Sequence, residues 1–100
     1  MVNDLIIEIG INKNQQLYIR PLTQKFPMIY REAMEVNWDN IENLLYSPKP
    51  REWSYFDWFN QIIKAVKIQS CSLSFNENTT WVNISENLKS QILSTENKKV

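Results

Sequence analysis

Residues 47–68, "SPKPREWSYFDWFNQIIKAVKI", constrain the fold more than any other stretch of the chain. Pro48 and Pro50 push the residues before them into extended backbone, which makes Ser47–Arg51 a stiff connector. A helix is predicted straight after it. Ser54 suits the N-cap, Asp57 stands at N3 where an acid favours the helix dipole, and Trp53 at N′ can pack on Trp58 at N4. The predicted span is Tyr55 to about Ile68. At about 100° per residue, Ala65, Trp58, Ile62, Tyr55, Val66, Phe59, Ile63 and Phe56 cover an arc of about 180°. Asp57, Asn60, Gln61, Lys64 and Lys67 fill most of the opposite half, with Ile68 intruding at the end. One helix-on-sheet contact needs an apolar stripe of roughly 100° or somewhat more. The fold must therefore supply a sheet for the centre of the stripe (Tyr55, Phe59, Ile62, Val66). The margins, Trp58 and Phe56, need a further cover, either within the chain from Trp53, the Ser47–Arg51 arm and the C-terminal helix, or from a partner.

The rest of the chain can supply the sheet. Leu5, Ile7, Ile9 and Ile11 alternate with Ile6, Glu8 and Gly10, which predicts a strand with one apolar face. The polar tract Asn12–Gln15 suits a hairpin turn, and Leu17, Ile19 and Pro21 form the apolar side of a second strand. Met28, Tyr30, Met34, Val36 and Trp38 then alternate along a predicted third strand, Met28–Trp38, with Glu32 falling on its apolar side. A helix over "YREAMEV" is the rival reading, because Ala, Met and Glu are good helix formers. Asn43–Tyr46 follows as a short fourth strand. After the helix, "CSLSF" reads as a strand, Asn76–Asn78 as a turn and "TTWVNI" as its partner. Asn83 or Ser85 can cap a short last helix carrying Ile84, Leu88 and Ile92, and the end from about residue 95 is expected to fray. These elements predict one α+β domain over residues 1–100: a mainly antiparallel sheet of five to six strands, one long helix on one face and a short C-terminal helix.

Composition narrows what such a domain can do. Eleven Lys and Arg against eleven Asp and Glu leave no net field for nucleic acid or an acidic membrane, so neither is an expected partner. No apolar stretch approaches the length of a membrane span, and "MVNDLIIEIG" lacks the features of a signal peptide, so the expected compartment is the bacterial cytoplasm. With no histidine, neither a Ser-His-Asp nor a Cys-His arrangement can be assembled from this chain alone. The usual zinc sets are missing too, and no metal or cofactor is implied. The one cysteine, Cys71, alternates with Leu73 and Phe75 and reads as a small buried hydrophobe. The expectation is a protein that is not an enzyme.

Tyr46–Phe59 holds six of the twelve aromatic residues, and these are where a partner would land. Trp, Tyr and Arg anchor interfaces more often than other residues. Arg51, Trp53, Tyr55, Phe56 and Trp58 are therefore the candidate binding residues, and the expected partner is a second copy of the chain, giving a homodimer or higher homo-oligomer. A small-molecule cleft walled by Trp53, Trp58 and Tyr46 is the alternative, with Arg51 or Glu32 supplying polarity. Glu32 is also the one carboxylate placed for acid–base chemistry. Charge is segregated as well. Lys13, Arg20, Lys25 and Arg31 lie in a stretch without acids, and Glu32, Glu35, Asp39 and Glu42 in a stretch without bases. Pairing between neighbouring strands explains this most simply.

Taken together, "FPMIYREAMEVNW" and "LYSPKPREWSYFDWF" resemble small bacterial proteins encoded on mobile integron gene cassettes, with Pro50–Trp53 the most distinctive part. That resemblance implies a bacterial, cytoplasmic, often oligomeric product, and it carries no catalytic residues over to this chain.

Overall fold

The first strand, β1 (Val2–Ile11), pairs with strands on both of its sides, and the computed structural model describes the chain from residue 2 to residue 97. One side of β1 takes β2 (Leu17–Pro21) in an antiparallel hairpin. The turn is held by Asn12, whose Oδ1 accepts from the backbone N–H of Asn14 and Gln16 at 2.9 and 3.0 Å. Pairing runs from Ile11↔Leu17 to Glu8↔Arg20 and then slips to Ile6↔Pro21, so β1 carries a bulge at Ile7. The bulge changes which side chains face inward. Asp4 and Ile6 are buried before it and Ile9 after it, whereas Leu5 is exposed. The uniform alternation expected of Leu5, Ile7, Ile9 and Ile11 does not survive this phase change.

Beyond β2 lie β4 (Leu44–Tyr46) and then β3 (Asn37–Asp39), both antiparallel. The predicted third strand over Met28–Trp38 is thus a correction: only its end, from Asn37, is strand. Before it the chain makes one turn of 3-10 helix, Ile29–Arg31, and further tight turns. Ile29, Ala33 and Val36 are the residues this segment buries, while Met28, Tyr30 and Met34 are exposed. That four-then-three spacing belongs to a helix-like path, so the rival reading stood closer to the structure.

Helix α1 (Tyr55–Ile68) carries the chain back to β5 (Cys71–Ser74), which runs parallel to β1. A parallel neighbour needs a long crossover, and α1 provides it. The predicted hairpin of "CSLSF" with "TTWVNI" does not form. Strand β6 (Thr80–Val82) instead pairs with β1 as well, also parallel, farther along the same edge. Between the two strands Thr79 bridges the bulged region: its Oγ1 donates to the Ile6 carbonyl at 2.7 Å and accepts from the Asn76 N–H at 3.1 Å. The six-stranded sheet is therefore mixed and not mainly antiparallel.

The register places Trp81, Ile9, Ile19, Leu45 and Trp38 in one row across β6, β1, β2, β4 and β3. The helices pack against that side. From α1, Trp58, Phe59, Ile62, Ala65 and Val66 are buried; from α2 (Glu86–Asn97), Leu88 and Ile92 join the same core. Ser85 caps α2, accepting from the Leu88 N–H at 3.1 Å. At 14 and 12 residues both helices are short: α1 is not the long helix expected, and α2 is the short C-terminal helix expected. Helix α2 reaches Asn97, past the point where fraying was predicted; residues 98–100 of that expected tail lie outside the described residues. No described helix is long and apolar enough to cross a membrane.

Candidate functional site

The start of α1 forms as its sequence dictates. Ser54 Oγ accepts from the Asp57 N–H at 3.1 Å, and the Asp57 carboxylate accepts from the Ser54 N–H at 3.0 Å, a complete capping box. Just upstream, Ser47 is fully buried and locked to β2. Its N–H donates to the Leu17 carbonyl at 2.8 Å, and its Oγ accepts from the Leu17 N–H at 3.1 Å. The arm from Pro48 to Trp53 is thus pinned at both ends, and it lays Trp53 over Trp58 with ring centroids 4.8 Å apart and planes at 47°. Trp58 is 7% exposed and Trp53 is 45% exposed, so the staple covers the inner indole at the expense of showing the outer one.

The two indoles form one side of a groove of about 510 Å³. Pro48, Lys49, Arg51 and Glu52 of the arm and Gln61 of α1 continue that side, while Met34 and Glu35 come from the segment before β3. Met34 is 84% exposed. Arg51 reaches across to Glu35, with Nη2 3.0 Å from Oε1; the Arg51 side chain remains largely in solvent and that of Glu35 is partly covered. A surface pair of this kind contributes ~0–1 kcal/mol, so it orients the rim more than it stabilises the fold. Glu35 itself has φ 66°, a left-handed backbone that costs a residue with a Cβ roughly 1–2 kcal/mol.

The predicted binding residues divide. Arg51, Trp53 and Trp58 meet in the groove. Tyr55 and Phe56 do not line it; both are half-buried against the core, and the Tyr55 hydroxyl donates to the Gln15 carbonyl at 2.9 Å, tying α1 to the first hairpin. Burial raises the Tyr55 pKa. Tyr46 is on β4 and lines a different cleft. Glu32 is neither on a strand face nor in the groove: it ends the 3-10 turn, and its Oε2 accepts from Gln69 Nε2 at 2.7 Å. Its place as the polar group of the groove is taken by Glu35. Reading Met28–Trp38 as a strand hid Met34 and Glu35; the misfit of Glu32 in that alternation was the available signal.

Of the segregated charges, Arg20 on β2 meets Glu42 in the turn before β4 at 3.5 Å; its neighbour across the strands is Glu8, at 3.3 Å, which lies outside the acidic stretch. Cys71 is buried, and desolvation, with a smaller contribution from Asp4, raises its thiol pKa, so it is a packing residue as expected. Among the described residues no group of three or more His, Cys, Asp and Glu could hold a metal ion.

Residues 4–79 match the family described as Integron Cassette Protein Hfx_Cass5. Among solved structures, the chain is similar to the Integron Cassette Protein Hfx_Cass5 from the mobile metagenome of the North West Arm Sewage Outfall. The identity is 38% over 94% of this chain and 95% of that one, with a TM-score of 0.49. No curated protein matches it. Both stretches that carried the resemblance, residues 26–38 and 45–59, lie inside the matched span. The chain belongs to the Hfx_Cass5 family of integron cassette proteins.

Proposed function

We propose that this integron cassette protein is a non-enzymatic interaction protein that self-associates through the groove at the start of α1. One observation carries the reading: Trp53, 45% exposed, faces the same groove as Met34, 84% exposed. A large aromatic ring and a flexible thioether left open side by side are what interface anchors are made of. The rim suits a second copy. Lys49 and Arg51 balance Glu35 and Glu52, so two such surfaces meet without net repulsion. The absence of histidine and the buried Cys71 support a role without catalysis.

Dilution tests the reading. Emission from Trp53 should shift to longer wavelength as the protein is taken from micromolar to nanomolar concentration, and Met34→Lys should show the shifted spectrum at every concentration. A spectrum independent of concentration in both proteins would contradict it.

The groove volume favours one alternative, a small-molecule site, because ligand pockets span roughly 300–1,000 Å³ and this one is about 510 Å³. A metabolite that raises the melting temperature of the wild type, and not of Trp53→Ala, would support that alternative.

A further inference from the structure

The sheet face opposite the helices holds a second, chemically different cleft of about 440 Å³, lined by strand and turn residues alone. Pleating puts Glu8, Tyr18, Arg20 and Tyr46 on this side, because their neighbours Ile9, Ile19 and Leu45 point into the core. Tyr18 does not stand away from the sheet. Its ring lies over Gly10, where an added Cβ would come within 2.5 Å of it. The chain's one glycine is used here, while Gln15, Glu35, Asn43, Ser70 and Asn83 adopt left-handed backbone without one. Lying flat, Tyr18 donates its hydroxyl to Glu8, which also accepts from Arg20 Nε at 3.3 Å. Arg20 in turn donates to the Glu42 carbonyl and contacts the Glu42 carboxylate. The result is a floor of Tyr18, Tyr46 and Leu44 in which a run of polar contacts from Tyr18 through Glu8 and Arg20 to Glu42 fixes the Tyr18 ring.

This floor selects among ligand classes. Arg20 directs Nε at Glu8 and Nη1 and Nη2 at Glu42. Glu8, Asp39 and Glu42 outnumber this one guanidinium, an acidic balance that disfavours a phosphate or carboxylate. Glu8 has both oxygens engaged, and Asp39 Oδ1 takes the N–H groups of Ile41 and Glu42 at 2.9 and 3.0 Å, so the acceptors the cleft offers to hydroxyls are the remaining oxygens of Asp39 and Glu42. What faces the cleft is a half-buried phenol ring, the side-chain amides of Asn14 and Gln16, and the second oxygens of Asp39 and Glu42. Flat apolar surface beside uncharged amide donors and carboxylate acceptors matches a molecule with C–H groups on one face and hydroxyls at its edge. We propose that this cleft binds a neutral polyhydroxylated ligand of the pyranose class, stacked on Tyr46 and hydrogen-bonded by Asn14 and Gln16. The site is separate from the Trp53 groove, and the two proposals stand or fall independently.

The test is a titration of the isotopically labelled protein, followed by amide chemical shifts, with glucose, galactose, mannose and N-acetylglucosamine as probes. Inorganic phosphate and ethanolamine serve as charged comparisons. At least one sugar should shift the resonances of Asn14, Gln16 and Tyr46 saturably. Tyr46→Ala should weaken that binding about tenfold. Gly10→Ala, which forces the Tyr18 ring off its seat, should weaken it as well. Asn14→Ala lies in an exposed turn and leaves the sheet intact, so it reads the contact even where a strand variant fails to fold. No shift with any of the four sugars, shifts unaffected by Asn14→Ala, or stronger binding of phosphate or ethanolamine would overturn the proposal.

Discussion

Ser70 shows what a chain with one glycine must accept. It follows α1 with φ 65°, and its N–H donates to the Lys67 carbonyl at 2.9 Å, the position where helices most often place glycine. Removing its Cβ relieves a left-handed backbone, so Ser70→Gly should raise the unfolding free energy by about 1 kcal/mol, read as a higher urea midpoint at unchanged slope. Asp4 makes the second argument at this scale. Burial alone would raise its pKa. The N–H groups of Gln24 and Thr23, at 2.8 and 3.0 Å, together with the Thr23 hydroxyl and the Leu5 N–H, outweigh that and hold its carboxyl below the usual aspartate range. A depressed folded pKa adds stability that is fully present above the unfolded value and is lost as pH falls through the folded one. Acid titration of stability should therefore show a loss beginning near pH 4 and continuing below it, and Asp4→Asn should flatten that part of the profile.

Among the elements, α1 was legible from its first residue to its last, and the reason is local. The cap, the acid at N3, the staple and the 3.6-residue period all lie within the helix and agree with one another. Its central Ile62 is fully buried, so Ile62→Ala should cost about 2–5 kcal/mol in chemical denaturation, whereas Lys64→Ala on the exposed face should change little. The first hairpin was legible for the same reason, because "NKNQ" carries its own turn chemistry. Elements defined by distant contacts were not. The bulge at Ile7 reverses the inward set of β1 and answers to the Thr79 contact more than 70 residues away. Strands β5 and β6 look like a hairpin in sequence, yet both satisfy their backbone on β1. In the segment before β3, alternation was matched by Met28, Tyr30 and Met34, side chains that the structure leaves in solvent. Of the groove, the α1 side with Arg51, Trp53 and Trp58 could be read locally; Met34 and Glu35 needed the tertiary fold.

The whole molecule has two unlike surfaces, an aromatic groove where the Pro-rich arm meets α1 and a polar cleft on the far side of the sheet. The wide apolar arc of α1 explains the first. The sheet and α2 bury its centre, Trp53 is drawn over Trp58, and the outer indole is left 45% exposed beside Met34. Covering that indole with a second copy removes apolar surface from water at both sites of a two-fold interface. Sedimentation equilibrium at micromolar concentration tests this directly. The wild type should sediment as a dimer or larger assembly of the 12.0 kDa chain, and Trp53→Ala, folded by circular dichroism, should sediment as the monomer. A wild type that is monomeric throughout, or a Trp53→Ala protein that assembles as strongly as the wild type, would contradict the account.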